Sequence, residues 1–204
     1  MKTLVTGGGG FLGRYVVRQL LARGDEVVAY ARGDYPDLVE MGARLVRGDL
    51  QDADAVQAAC ESVDAVFHVA SKTGYWGPWD EFYGANVVGT ENIIAACKAQ
   101  GVPKLVYTST PSVVFDNTPH EGADESLPYP ETYENYYSHT KAIAERAVIA
   151  ANRSAPSDSL CTVSLRPHLI VGPGDRHLVP RIVARAGAGK VPQVGDGTNM
   201  ADLT

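Results

Sequence analysis

Short apolar runs rich in valine alternate along the chain with longer stretches of helical periodicity. Leu4-Val5-Thr6, Val27-Val28-Ala29-Tyr30, Leu45-Val46, Val63 to Val69, Leu105-Val106-Tyr107 and Cys161 to Leu165 read as strands. Their near-continuous apolar character suits parallel strands buried on both faces. Phe11, Leu12, Tyr15, Val16 and Leu20 form one helical stripe that Gly24 stops. Asp52 is placed to cap a helix running to Cys60. The spacing predicts a long helix over 80–100, ended by Gly101 and Pro103, and another over 136–152. Strand–helix alternation repeated this often predicts an α/β fold with a doubly wound parallel sheet. Two long loops break the rhythm, 71–79 and 111–135, the second carrying Pro111, Pro119, Pro128 and Pro130. Both follow strand C-termini, where such sheets bind ligands.

Composition narrows the classes. The 204 residues are 45% hydrophobic and 21% charged, enough apolar material for one large core and the start of a second domain. A formal charge of -6 with no basic run speaks against a nucleic-acid partner. The apolar start after Lys2 is too short for a signal peptide, and no stretch approaches the roughly 18 apolar residues of a membrane span. Cys60, Cys97 and Cys161 are scattered, fit neither a zinc site nor a disulfide framework, and read as reduced packing residues of a cytoplasmic protein. No metal is expected.

Between the first strand and first helix lie Gly7, Gly8, Gly9 and Gly10, with Gly13 one turn on. A tight strand-to-helix turn needs positive φ, and a pyrophosphate needs backbone approach without a Cβ. The helix N-terminus opening at Phe11 and Leu12 then offers N–H groups to the phosphate charge. Glycine clusters are often turns only, but this placement is the one a dinucleotide site requires. After the second strand, Ala31 occupies the position of a ribose-binding acid and Arg32 follows it. A guanidinium suits a 2′-phosphate and favours NADP, with NAD the alternative if Asp34 bends back to the ribose.

Tyr137 and Lys141 stand four residues apart, on one face of the helix over 136–152. Of the ten tyrosines, Tyr137 is the one with a lysine at i+4, and the stripe continues through Ala144, Val148 and Ala151. Its neighbour Tyr136 reads as an ordinary packing aromatic. Hydride transfer at a carbinol carbon needs a matching proton at oxygen, and a phenol beside a cation can move one. The turn Thr108-Ser109-Thr110-Pro111-Ser112 offers a hydroxyl to fix the reacting oxygen.

Seven ordered motifs resemble the extended short-chain dehydrogenase/reductases. They are Thr6 to Gly13, Gly48-Asp49-Leu50, His68-Val69-Ala70, Asn86 to Asn92, Tyr107 to Val113, Tyr137 to Lys141, and Leu165-Arg166-Pro167 to Gly174. The resemblance implies a Rossmann-type dinucleotide domain over 1–175, with 176–204 beginning a smaller substrate lobe that family members continue for roughly another hundred residues. It implies Tyr137 as acid/base, Lys141 as its tuner and ribose anchor, and Thr110 in the place usually held by serine. It places Gly7, Gly10, Phe11, Leu12, Gly13, Arg32, Asp49, Leu50, Ala70, Thr108 and Pro167 on the cofactor, although Asp49 also reads as a turn residue. It further implies a homodimer packed through the two long helices.

Thr108 to Val113, Glu145-Arg146-Ala147-Val148 and Arg166-Pro167-His168 resemble the 3β-hydroxysteroid dehydrogenase branch, which includes the sterol-4α-carboxylate 3-dehydrogenases. Arg32 to Pro36 and Tyr75-Trp76-Gly77 resemble its bacterial 2-alkyl-3-oxoalkanoate reductases. The substrate implied is a small apolar molecule: a β-oxo or β-hydroxy acid, or a steroid equivalent. Tyr75, Trp76 and His168 are its candidate contacts, while Tyr75, Trp76 and Trp79 also fit an aromatic cluster covering a helix. Two other readings compete: a sugar-nucleotide epimerase or dehydratase using the same residues, and a non-catalytic NAD(P)-binding regulator.

Overall fold

The computed structural model describes residues 1–152, 160–175, 178–191, 193, 195–198, 200 and 202–204. The chain divides into two compact units, Met1–Arg166 and Pro167–Thr204. In the first, β1 (Lys2–Thr6), β2 (Glu26–Ala31), β3 (Arg44–Arg47), β4 (Ala65–His68), β5 (Lys104–Thr108) and β6 (Cys161–Leu165) pair in the order β3-β2-β1-β4-β5-β6. Every pairing is parallel. The order reverses between β1 and β4, so the loops after these strands diverge around one crevice, where doubly wound sheets bind ligands.

Both faces of the central strands are buried because alternate residues feed opposite cores. Leu4, Val28, Tyr30, Val66, Leu105 and Tyr107 join one cluster, while Val5, Val27 and Ala29 join the other. Val17 and Leu20 of α1 (Phe11–Ala22) and Leu38 of α2 (Pro36–Glu40) cover the second cluster. The first is covered by α3 (Ala53–Ala59), the helical run α4 (Trp79–Tyr83) to α5 (Gly89–Ala99), and α6 (Tyr136–Ala151). Asp52 caps α3 by accepting from the Ala55 amide at 3.0 Å, and Asn135 caps α6 by accepting from Ser138 at 2.9 Å.

The long helix expected over 80–100 is present from Trp79 to Ala99, but it is not uniform. Residues Gly84–Val88 form a π segment between α4 and α5. Periodicity over a long window cannot register one widened turn, and π turns often mark functional positions. The strand expected over 63–69 is shorter, Ala65–His68.

The cysteines separate into two classes. Cys60 and Cys97 are buried in the same core cluster, whereas Cys161 is exposed. The packing role expected for Cys161 is therefore corrected. It lies on β6 with Val163 and Leu165, on a face left exposed at the sheet edge.

The second unit contains α7 (Leu178–Gly187), whose first amides Leu178 and Val179 donate to the Asp175 carboxylate. A parallel bridge joins Leu169 to Leu203. No helix among the described residues is long and apolar enough to cross a membrane.

Candidate active site

Gly7, at φ +70°, turns the chain from β1 into the glycine run. A Cβ there would stand 2.7 Å from the Ala70 backbone, so the turn and the segment after β4 touch without side chains between them. At Gly13 a Cβ would collide with the Gly7 carbonyl, so α1 seats directly on the turn. Gly10 precedes α1 with no side-chain cap, and no acidic residue lies in the first helical turn. The opening N–H groups thus face no competing anion of their own helix. This cradle fits the pyrophosphate of a dinucleotide.

A buried polar chain, which the sequence reading missed, runs from this turn to α6. The Ala70 amide donates to Thr6 Oγ1 at 3.2 Å, and Thr6 Oγ1 meets His68 Nδ1 at 2.7 Å. His68 Nε2 meets Thr90 Oγ1 at 3.0 Å, and Thr90 donates to the Asn86 carbonyl at 2.6 Å. Because Thr90 spends its proton on Asn86, it accepts from His68. These partners assign the neutral Nε2–H tautomer. From the π segment, the Asn86 amide accepts from the Lys72 N–H at 2.7 Å, and donates to the Lys72 carbonyl at 3.1 Å and to Thr140 Oγ1 at 3.0 Å. Asn86 therefore ties the loop after β4 to α6. Five buried polar residues, Thr6, His68, Asn86, Thr90 and Thr140, were the available signal.

Burial, with Lys141 nearby, pushes His68 from its ordinary 6.5 down to about 3. The unfolded chain binds this proton below about pH 6.5 and the folded chain does not, so stability is present above that value and is lost as pH falls. Each unit of acidification below 6.5 is expected to cost about 1.4 kcal/mol through His68 alone. Thermal unfolding between pH 6.5 and 4.5 should show a shallower acid slope in His68→Gln than in the parent. Equal slopes would remove His68 from the acid response.

The stripe on α6 lies as its spacing implied: Lys141, Ala144, Val148 and Ala151 are buried. Tyr137 is partly buried and lies near the Thr110 hydroxyl. Burial raises its phenol above the ordinary value, and Thr110 is the influence that pulls it back. The Lys141 ammonium points instead to the Thr108 carbonyl at 2.6 Å, 4.1 Å from the Tyr107 ring centre. Burial depresses it to about 7, against an upward pull from Glu145. Thr110 also donates to Ser112 Oγ at 3.2 Å.

Tyr137 forms part of the wall of a cavity of about 490 Å³, together with Tyr75, Ser112, Phe115, Tyr133 and Asn135. Tyr75, Phe115, Tyr133 and Tyr137 give it four aromatic rings among polar side chains that include Ser112, Asn117, Glu134 and Asn135, a lining that suits an apolar ligand carrying polar groups. The long loop supplies Tyr133, whose ring stacks on His139 at 5.0 Å and whose hydroxyl donates to the Val113 carbonyl at 3.4 Å.

Of the proposed substrate contacts, Tyr75 lines this cavity, whereas Trp76 stands clear of it, 85% exposed. Trp79 packs against Tyr83, Tyr136 and His139, which is the helix-covering alternative. Arg32 is exposed just past β2. Asp49 behaves as a turn residue, accepting from the Gln51 amide at 3.0 Å, while its carbonyl accepts from Tyr30 at 2.9 Å. Leu50 packs on the larger core cluster. Pro167 and His168 open the second unit, where the His168 amide donates to Thr204 Oγ1 at 3.2 Å. Among the described residues, no cluster of three or more His, Cys, Asp or Glu could hold a metal ion.

The chain matches the 3-beta hydroxysteroid dehydrogenase/isomerase family over residues 4–204. It is similar to a 2-alkyl-3-oxoalkanoate reductase of Stenotrophomonas maltophilia (strain K279a), 54% identical over 100% of this chain and 61% of the relative. The human sterol-4-alpha-carboxylate 3-dehydrogenase, decarboxylating, is 40% identical over 100% of this chain and 54% of its own length. The chain therefore spans little more than half to three fifths of these relatives. Among solved structures, MoeE5 in complex with UDP-glucuronic acid and NAD superposes with a TM-score of 0.83 at 32% identity, covering 100% of this chain and 68% of that one. Sheet order, glycine cradle and the matched length agree, and the chain belongs to the 3-beta hydroxysteroid dehydrogenase/isomerase family.

Proposed function

We propose that the protein is an NAD(P)-dependent oxidoreductase that interconverts a secondary alcohol and a ketone on an apolar β-hydroxy or β-oxo acid, or on a 3β-hydroxysteroid-type substrate. The observation that carries this reading is Tyr137, set near Thr110 in the wall of a cavity that it shares with three other aromatic rings. A phenol raised by burial is protonated at neutral pH, the state needed to protonate a ketone oxygen during reduction. Thr110 would hold the same oxygen. Lys141, one helical turn on, would anchor the cofactor's ribose and add positive charge beside the phenol. Gly7, Gly10, Phe11, Leu12 and Gly13 would hold the pyrophosphate, Ala70 and Thr108 the ribose side, and Asp49 and Leu50 the adenine. Once bound there, the nicotinamide supplies or accepts the hydride. Pro167 and His168 would complete the nicotinamide end, and the same family likeness supports a homodimer in the cytoplasm.

Arg32, exposed beyond β2 with no acid at Ala31, supports NADP over NAD. Arg32→Ser is expected to lower the NADPH-to-NADH preference about tenfold, the worth of one charge-assisted contact. A parent enzyme that prefers NADH would overturn that assignment.

The likeness to MoeE5 favours one second reading, an exchange on a nucleotide sugar with a retained cofactor. Assays of NADPH and NADH oxidation with a 2-alkyl-3-oxo acid and with a 3-oxosteroid separate the two. Stoichiometric cofactor oxidation is expected with one of these ketones. Turnover of a nucleotide sugar without net cofactor change, and none of either ketone, would replace the first reading with the second.

A further inference from the structure

Glu145 lies on α6 one turn beyond Lys141, with its side chain wholly buried. Three elements converge on its carboxylate. Tyr129, from the long loop before α6, donates its hydroxyl to Oε1 at 2.6 Å. Arg166, just past β6, donates through Nη2 to Oε1 at 2.6 Å and through Nε to Oε1 and Oε2 at 3.2 and 3.1 Å. Ser109, just past β5, lies beside it; burial works against the charge, but the Arg166 and Tyr129 donors hold the carboxyl below its ordinary value and therefore ionised. The Tyr129 ring is itself engaged by the Arg146 guanidinium at 4.3 Å and that of Arg166 at 5.8 Å.

The groups facing Lys141 single out this carboxylate. His68 on β4 is neutral, and burial keeps the phenols of Tyr107 on β5 and Tyr137 on α6 protonated. Thr108 offers a carbonyl, which carries no net charge. Among these groups Glu145 alone is ionised and negative. A buried ammonium without a counter-charge gives up its proton.

We propose that Glu145 is the positioning residue for Lys141: its buried carboxylate, one turn along the same buried helix face, biases the lysine toward its charged form beside Tyr137, while Arg166 sets how much of that charge the lysine feels. The inference rests on Tyr137 and Lys141 being the proton-handling pair and deepens that reading. It makes the end of β6 and the long loop part of the device that fixes the working pH. A merely structural ion pair would hold the same three elements together without changing the protonation of Lys141.

Lysine side-chain carbon NMR on the purified protein follows the Lys141 titration without any substrate. In Glu145→Gln its midpoint is expected to fall by about one unit, the effect of losing a nearby opposite charge. In Arg166→Gln, where the carboxylate is less neutralised, the midpoint is expected to rise. The alkaline limb of kcat should move with each midpoint, with KM changed by less than about threefold (~0.6 kcal/mol), and Glu145→Asp should restore most of the parent profile. An unmoved midpoint, or shifts of the same sign in both glutamine variants, overturns the proposal. If Glu145→Gln does not fold, Arg166→Gln decides alone: a rise supports the proposal, and no change or a fall overturns it. A midpoint that moves as expected in a protein that reduces no ketone sinks the proposed function while leaving the role of Glu145 intact.

Discussion

Tyr137→Phe is expected to lower kcat by about a hundredfold to ten-thousandfold, the usual worth of a positioned general acid or base. The phenyl ring keeps the volume of the cavity wall that Tyr137 shares with Tyr75 and Phe115. It removes one oxygen, the one proposed to move the proton beside Thr110. The loss should therefore fall on kcat and kcat/KM alike, as when an interaction made only in the transition state is deleted. Cofactor affinity and melting temperature should stay near the parent, because the glycine cradle and the core of α6 are untouched. Unchanged turnover with bound cofactor would mean that the proton moves through another group.

Gly13→Ala should act at the other end of the cofactor. In an ordinary helix, replacing glycine by alanine stabilises by up to about 1 kcal/mol. Here the new methyl meets the Gly7 carbonyl oxygen and stands 2.8 Å from both the Gly7 carbonyl carbon and Gly8 Cα. All are backbone atoms, with no flexible side chain to yield. Overpacking of this kind typically costs about 1–3 kcal/mol, so net stability should fall by no more than about 2 kcal/mol. The cradle has to open to accept the methyl, and dinucleotide affinity should fall by about a hundredfold or more, some 2.7 kcal/mol. Calorimetric titration with NADPH and thermal unfolding together separate these effects. An affinity within a few-fold of the parent would show that the phosphate does not sit on this turn.

Most of the sheet was legible because its signals are local. Valine-rich runs buried on both faces announced β1 and β2, and the glycines between Thr6 and Phe11 could serve little else than a tight strand-to-helix turn. Tyr137 and Lys141 were legible because helical spacing put them on one buried stripe. What escaped depends on long-range contacts. The π segment at Gly84–Val88 answers the need of Asn86 to reach both Lys72 and Thr140, and no window of periodicity contains those partners. The His68 chain joins residues 62 and 22 positions apart. Glu145 had a signal that went unread: a carboxylate at i+4 from Lys141, on the buried side of the same helix, implies a cation elsewhere to neutralise it. Arg166, 21 residues on, is that cation. α2 and α7 were missed for a simpler reason. One is five residues long, and the other lies between a capping carboxylate at Asp175 and Gly187, signals that went unread.

In the proposed reaction this fold passes a hydride between a nicotinamide and a carbinol carbon beside Tyr137. The most direct measurement supplies cofactor deuterated at the transferring position of its reduced nicotinamide, with a 2-alkyl-3-oxo acid or 3-oxosteroid, and locates the label in the product by NMR. Deuterium on the new carbinol carbon, in a one-to-one ratio with oxidised cofactor, is the expected result. Product formed with the label still on the nicotinamide, or washed into solvent, would contradict it.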